Sequence, residues 1–172
     1  MCTHPWDQSY KGSQEKNVVP IPSFIYIDTI LARFSMQNSK KGFLPFRHGV
    51  ALSKEMSPKT SKKIEDMKAV PYASAVGSLM YAMLCTRPDI CFIVGMVSRY
   101  QSNPGQGHWT AVKYILKYLR RTRDYMLVYQ ADDLLPVGYT DSDFQSDRDN
   151  SKSTSGYVFT LGGGAIAWRS VK

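Results

Sequence analysis

Apolar positions recur with helical spacing over the first two thirds of the chain and alternate as in strands near its end. In residues 24–34 they fall three and four positions apart, which predicts a short amphipathic helix. Residues 72–85 are small and apolar on nearly every side, which predicts a helix buried on most of its sides. Pro88 fits the first turn of a new helix that runs to about Gln101, and an apolar stripe predicts a third helix over 107–121.

The period changes to that of β-strands after Asp124. Four short segments are rich in aromatic and β-branched residues, namely YMLVYQ, PVGYT, GYVFTL and AIAWRS. The glycines between the last two predict a hairpin, because glycine readily takes the positive φ of tight turns. The order of the elements predicts an α+β fold in two units, helices first and then an antiparallel sheet, with a boundary near residues 122–136.

The composition favours a folded intracellular protein. The chain has 172 residues and is 43% hydrophobic, which is enough to bury a sizeable core. Its longest apolar run, Ile90–Val97, is too short to span a bilayer, and the first residues show no secretory signal pattern. Three cysteines without metal-ligand spacing favour free thiols in a reducing compartment, the cytoplasm or the nucleus.

A net charge of +8 suits a polyanionic partner. In the third predicted helix, four cations lie on a face separate from the apolar stripe: Lys113, Lys117, Arg120 and Arg121. Such a face binds nucleic-acid phosphates in some proteins and is merely solvated in many others. The residues alone leave both interpretations open.

Four aspartates follow one strand-like segment within nine residues: Asp141, Asp143, Asp147 and Asp149. A calcium loop starting at Asp141 is excluded, because its sixth position is Ser146 instead of glycine and its twelfth is Lys152 instead of glutamate. A polar hairpin connection accounts for Asp147 and Asp149, since aspartate is common in turns.

Asp141 is harder to explain as a turn residue. Strand alternation puts it on the same face as Val137 and Tyr139, so we expect it to point inward, where a carboxylate needs an ion pair or a metal ion. One carboxylate cannot assemble the pair of Mg²⁺ ions, about 4 Å apart, that phosphoryl chemistry uses. A solvated loop and one part of a metal site therefore stay as alternatives.

The histidines and the remaining cysteines give weaker signals. His108 stands near the start of the third helix and is expected to pack or to cap that helix rather than to bind a metal. Cys85 and Cys91 flank the TRPD break and are expected to be thiols of the core.

The most distinctive part of the chain is the pair of stretches PYASAVGSLMYAMLCTRPDICFIVGMVSRYQSNPGQGHWTAVKYILKYLRRTRD and GYTDSDFQSDRDNSKSTSGYVFTLGGGAIAWRSVK. Together they closely resemble the Pol polyprotein of copia-type LTR retrotransposons. YIDTILARFSMQNSKKGFLPF also resembles that family, so the likeness covers roughly residues 24–172. It falls where the reverse transcriptase ends and the ribonuclease H domain begins.

The resemblance implies two of three expected regions. Residues 24–122 would be a helical region like the reverse transcriptase thumb and connection, and 123–172 a truncated ribonuclease-H-like domain. Residues 1–23 do not resemble the family and show no clear periodicity, so the third region is expected to be an irregular N-terminal segment. The truncated domain would hold the first three antiparallel strands of an incomplete ribonuclease-H-like sheet. Because such a sheet leaves a strand edge and one face uncovered, we expect self-association through that edge.

The resemblance also assigns a role to Asp141. In GYTDSD it matches the first catalytic aspartate of ribonuclease H, which binds the Mg²⁺ used to hydrolyse the RNA of an RNA–DNA hybrid by two-metal chemistry. The sequence ends at Lys172, before the helix that supplies a glutamate in that family. The chain is therefore expected to be inactive alone and to bind no Mg²⁺ tightly. ADDL, residues 131–134, lacks the tyrosine of the polymerase motif and is not assigned to it.

The same resemblance implies that the basic face of the third helix, through Lys113, Lys117, Arg120 or Arg121, follows the phosphates of a hybrid duplex. Two other functions remain open. One is a nucleic-acid-binding module without chemistry, and the other is a host-adopted interaction module in which residues 1–23 create a surface for a partner.

Overall fold

The computed structural model describes residues 18–46, 52–130, 135–143, 147 and 149–172. In these ranges the elements are β1 (Val18–Pro22), α1 (Phe24–Arg33), α2 (Ser61–Lys68), α3 (Tyr72–Cys85), α4 (Cys91–Ser98), α5 (Gln106–Arg121), β2 (Met126–Gln130), β3 (Val137–Ser142), β4 (Ser155–Leu161) and β5 (Gly164–Val171). The predicted α+β class is confirmed. Residues 1–17 and the ADDL segment lie outside the described ranges, and the division into three regions stays a prediction.

The core lies between α1, α3, α4 and α5. Ile27, Ile30 and Leu31 of α1 are buried, as the helical spacing predicts. On α5 the predicted stripe is confirmed, because Val112, Ile115, Leu116 and Leu119 are all buried. By contrast α2 buries none of its residues, since its sequence SKKIEDMK offers too few apolar side chains to form a packing stripe.

The prediction that α3 is buried on most of its sides is wrong. One side packs into the core, but Tyr81 and Leu84 on the other are 57% and 66% exposed. Cys85 is also exposed and Cys91 is half-buried, so the prediction of two core thiols fails for Cys85. The sequence of α3 is apolar on both sides, so its periodicity did not reveal which side meets α1, α4 and α5.

The TRPD break is held by a buried ion pair. Arg87 is 2% exposed, and its Nη2 donates to Asp89 Oδ2 over 2.6 Å. Its Nη1 donates to the carbonyl of Thr122, just past the end of α5, over 3.1 Å, and Tyr118 Oη donates to Asp89 Oδ2 over 2.8 Å. Pro88 begins a 3₁₀ turn and the helix proper starts at Cys91. The break therefore fastens the start of α4 to the end of α5.

All four predicted strands form, but they divide between two sheets. β2 pairs antiparallel with β1, with Val18 opposite Gln130 and Pro22 opposite Met126. β3, β4 and β5 make a three-stranded antiparallel sheet in that order, with β3 at one edge. Residues 18–22, expected only as a loose or extended segment, are thus one strand of a pair.

The predicted glycine hairpin joins β4 to β5. Gly162 and Gly163 have φ values of 53° and 79°, the left-handed region that favours glycine. Gly162 also lies against β2, because Gln130 N donates to its carbonyl over 2.9 Å. A Cβ on Gly162 would come within 2.2 Å of Gln130 O. In the part of the chain that the structure describes, no helix is long and apolar enough to cross a membrane.

Candidate functional site

A groove runs between the three-stranded sheet and the start of α4. The strand register puts Tyr139, Val158 and Trp168 side by side on the sheet face toward the helices. Trp168 Nε1 donates to the carbonyl of Met83 over 2.9 Å, which fastens β5 to α3. The groove, of about 580 Å³, is lined by both units, with Phe92 on the helical side and Asp141 on β3.

Asp141 lies at the end of the edge strand β3, opposite Gly156 of β4. The register gives it the same sheet face as Val137 and Tyr139, as strand alternation predicts. The expected inward burial is wrong: Asp141 is exposed, and Val137 and Tyr139 are 44% and 59% exposed. The helices cover this face at β5 but leave it open at β3. Among the described residues, no hydrogen bond or ion pair reaches the Asp141 carboxylate.

Asp143 and Asp147 shape the connection between β3 and β4. Asp143 Oδ1 accepts a 2.6 Å hydrogen bond from the backbone N–H of Thr154. Asp147 is 6% exposed, accepts from the backbone N–H of Asn150 over 3.2 Å, and contacts the ammonium of Lys172. Burial would raise the pKa of Asp147, but the hydrogen bonds from Lys172 and Asn150 outweigh it and hold that pKa below its ordinary value.

Asp149 binds the connection to the helical layer. Its carboxylate accepts from the backbone N–H of Lys54 over 2.9 and 3.1 Å, and Oδ2 accepts from Tyr100 Oη over 3.1 Å. Together with Asp147, it confirms the interpretation of these two acids as parts of a polar connection.

The acidic residues of the described chain do not fit a complete two-metal site. Three of the four aspartates are engaged by the contacts above, which leaves Asp141 as the one with a free carboxylate. Within the described ranges, no group of three or more His, Cys, Asp or Glu residues is placed to hold a metal ion. The role of Asp141 as one Mg²⁺ ligand stays a prediction.

His108 caps α5, as the sequence predicts. Its Nδ1 accepts from the backbone N–H of Gly105 over 2.9 Å. Its Nε2 lies 3.1 Å from the carbonyl of Ser53 and must carry the proton, since that oxygen can only accept. The side chain is fully buried, and desolvation lowers its pKa below the ordinary value. His108 is therefore a structural residue in its neutral form.

The four predicted phosphate-binding cations lie together. Lys113, Lys117, Arg120 and Arg121 fall within an arc of about 100° around α5, away from the buried stripe. Arg121 is exposed and the other three are half-buried. None of the four forms an ion pair with a carboxylate of the described chain.

Sequence reasoning missed what lies over these cations. Residues 40–46, interpreted only as a break, cross α5, and the backbone N–H of Gly42 donates to the carbonyl of Lys117 over 2.9 Å. The crossing places the guanidinium carbon of Arg121 3.9 Å from the centre of the Phe43 ring. Lys40 and Lys41, both exposed, directly precede Gly42 in this crossing. The only signal was the run KKGF, in which a glycine and an aromatic residue follow two cations.

The chain is similar to retrotransposon proteins. It is 52% identical over 145 residues to the retrovirus-related Pol polyprotein from transposon TNT 1-94 of Nicotiana tabacum, which covers 84% of this chain and 11% of that protein. It is 34% identical over 148 residues to the Pol polyprotein from transposon RE2 of Arabidopsis thaliana, which covers 86% and 10%. The chain thus spans about a tenth of the length of these polyproteins.

A shorter relative is the secreted RxLR effector protein 161 of Plasmopara viticola. The two are 48% identical over 107 residues, which is 62% of this chain and 75% of that protein. No protein-family model matches the chain, and neither does any solved structure.

Proposed function

We propose a function for this chain from the family to which it belongs, the Pol polyproteins of copia-type retrotransposons. The chain is the part of such a polyprotein where the reverse transcriptase ends and the ribonuclease H domain begins. Asp141 supplies one ligand of the Mg²⁺ site with which the whole polyprotein hydrolyses the RNA of an RNA–DNA hybrid. The chain by itself leaves the hybrid intact.

The state of the four aspartates carries this proposal. Asp143, Asp147 and Asp149 hold the β3–β4 connection, whereas Asp141 is exposed beside the groove. Hydrolysis with two metal ions needs several carboxylates that converge from different elements. Asp141 is available as one of them, and the others would come from further parts of a polyprotein about ten times as long.

Incubation of the chain with Mg²⁺ and a hybrid labelled in its RNA strand tests the proposal. The RNA is expected to stay intact. Cleavage by the chain that disappears in Asp141→Asn would contradict the inactivity of the chain alone. In a longer Pol polyprotein that does cleave the hybrid, Asp141→Asn is expected to abolish cleavage. Ser142→Ala is the matched control there, because it changes an exposed neighbour on the opposite face of β3.

A second function, nucleic-acid binding without chemistry, is favoured by the basic face of α5. Its four cations point away from the core and have no carboxylate partner in the described chain. Unpaired cations on one face release counterions when they bind phosphates, so the affinity should fall as the salt concentration rises. This function and the first are compatible, since a hybrid duplex must be held while it is cleaved.

Titration of the chain with labelled nucleic acid at several salt concentrations tests this function. Lys117→Glu is expected to weaken binding and to reduce the salt slope by about 1. Lys62→Glu makes the same change of charge on the exposed surface of α2 and is expected to have a smaller effect. Absent or salt-independent binding would exclude the basic face as a nucleic-acid site.

A third candidate is a module that binds another protein. The chain covers 75% of the relative named as a secreted effector, so a similar segment also makes up most of a protein that is not named as a polyprotein. Pull-downs with the full chain and with a chain that begins at Val18 would test it, since the latter keeps β1. A partner retained only by the full chain would assign the surface to residues 1–17. If the full chain retains no partner, this candidate is excluded.

A further inference from the structure

The crossing of α5 by residues 40–46 depends on a close backbone approach. A Cβ on Gly42 would lie 3.1 Å from Lys117 Cβ and 3.2 Å from Tyr118 N, which is tighter than ordinary van der Waals contact. Glycine lets the segment lie on the helix, and the hydrogen bond from Gly42 N to Lys117 O fixes its position. Phe43 comes directly afterwards and is therefore held over the last turn of α5.

Phe43 is held in place without being buried. Its side chain is 74% exposed, so apolar burial contributes little to its position. Arg121 lies over one face of the ring at 3.9 Å, a cation–π contact. Because one face meets Arg121 and three quarters of the side chain is exposed, the other face is accessible to a planar group.

The groups that adjoin Phe43 are positively charged, since Arg121 contacts its ring and Lys117 accepts the hydrogen bond of Gly42. Lys117 lies one helical turn before Arg121, and its Nζ is 5.7 Å from the centre of the Tyr114 ring. Lys40 and Lys41 adjoin Gly42 in the sequence. In the described part of the chain, none of these four cations has a carboxylate partner. Proteins that bind single-stranded nucleic acid combine exposed aromatic rings with cations that contact the phosphates.

We propose that Phe43, backed by Arg121, is a stacking platform for an unpaired base of a single-stranded nucleic acid whose phosphates lie along Lys40, Lys41 and Lys117. The proposal rests on the nucleic-acid binding proposed above and narrows it. A duplex hides the faces of its bases, so it engages the cations but gains nothing from an open ring. The ring therefore selects single-stranded over paired nucleic acid.

The experiment compares a short labelled oligothymidylate with an abasic oligomer of the same length and charge. The full chain is expected to bind the oligothymidylate about fivefold or more tightly, the range of one stacked base. Phe43→Ala is expected to lose this preference while it keeps its affinity for the abasic oligomer. Phe43→Trp is expected to retain the preference. Leu44→Ala, which truncates a neighbour that is 61% exposed, is the matched control and should behave as the unchanged chain.

The outcomes separate this inference from the function on which it rests. If Phe43→Ala keeps the full preference for bases while Lys117→Glu weakens binding, the platform is wrong and the basic face stands. If neither oligomer binds but a blunt duplex does, the platform alone is wrong; if none of the three binds, both are wrong. A blunt duplex should bind the unchanged chain and Phe43→Ala equally, and a loss in Phe43→Ala would contradict stacking on an unpaired base.

Discussion

Tyr100 lies flat against His108, with the ring centroids 4.0 Å apart and the planes 11° apart. The hydroxyl of Tyr100 donates to Asp149, in the connection between β3 and β4. Burial first, and then the bond to Asp149, raise the pKa of Tyr100 to about 12. The histidine that caps α5 and an aspartate of the sheet connection are thus joined through one tyrosine.

Stability should fall as the pH is lowered toward 5. Desolvation holds the pKa of folded His108 below its ordinary value of 6.5, although the Ser53 carbonyl and Asp149 oppose this shift. Below pH 6.5 the unfolded chain therefore binds a proton that the folded chain does not, and the free energy of unfolding decreases. Urea unfolding at several pH values between about pH 7 and pH 5 measures this decrease in the free energy of unfolding. His108→Gln should show a shallower pH dependence, and an unchanged one would contradict the assignment.

Arg87→Met should destabilise the protein by about 3–5 kcal/mol, because it leaves Asp89 partly buried without its cation and the Thr122 carbonyl without a donor. Lys68→Met is the matched control, since it removes an ion pair with Glu65 whose side chains are 66% and 71% exposed. That change should cost less than about 1 kcal/mol. Chemical unfolding of both variants measures the difference, and equal costs would contradict the role of the buried pair.

Gly162→Ala should cost more than Gly163→Ala. Both residues have positive φ, which costs a residue with a Cβ about 1–2 kcal/mol. At Gly162 the added carbon would also collide with Gln130 O, whereas nothing lies within 4 Å of the position at Gly163. Gly77→Ala, in the exposed face of α3, should instead raise the free energy of unfolding by up to about 1 kcal/mol. Melting temperatures rank the stabilities of the three variants. If Gly162→Ala costs no stability, the hairpin does not contact β2 closely.

Asp149→Ala should destabilise the protein by about 1–3 kcal/mol, since it removes the charged acceptor of hydrogen bonds from the Lys54 N–H and the part-buried Tyr100 hydroxyl. Asp141→Asn should leave stability nearly unchanged, because the carboxylate is exposed and receives no hydrogen bond from the described residues. Urea unfolding of the two variants compares a structural acid with a solvent-facing one. A large cost for Asp141→Asn would mean that its carboxylate supports the fold.

The chain should self-associate through β3, the edge of the three-stranded sheet. Tyr139 on this strand is 59% exposed, and an uncovered edge with apolar side chains favours pairing with a second chain. Sedimentation at increasing protein concentration is expected to show dimers. Tyr139→Lys should weaken the dimers. Tyr81→Lys changes a similarly exposed tyrosine on α3 and should leave the dimers unchanged. Equal effects would indicate association without a specific edge.

Local sequence patterns predicted the individual helices and strands, but they did not predict which elements pack or pair with one another. The stripe on α5 and the glycine hairpin were predictable because spacing and φ preference act within a few residues. The pairing of residues 18–22 with β2 joins segments about a hundred residues apart, and no local pattern encodes it. For the same reason Asp141 was placed on the correct face of β3 but wrongly expected to be buried, since burial depends on what covers that face.

The candidate site was predictable only in part. The four cations of α5 were evident from the helical period, whereas Phe43 was not, because its position over Arg121 arises from a crossing between distant segments. The spacing of the aspartates did not reveal that Asp149 contacts Lys54 and Tyr100. Those contacts required the helical layer and the sheet to be in place.

The pairing of β1 with β2 bears on whether the helical layer can be inserted as a unit into another protein. Ser23, at the start of α1, donates to the carbonyl of Tyr125 over 2.9 Å across a sequence separation of 102 residues. Closing a loop of that length costs about 4 kcal/mol of chain entropy, so these strands should pair late in folding. Once the strands have paired, the segment that leads into α1 and the segment that follows α5 lie next to each other. A block with adjacent ends can be transplanted into a foreign polypeptide at a single junction, with little strain on its host.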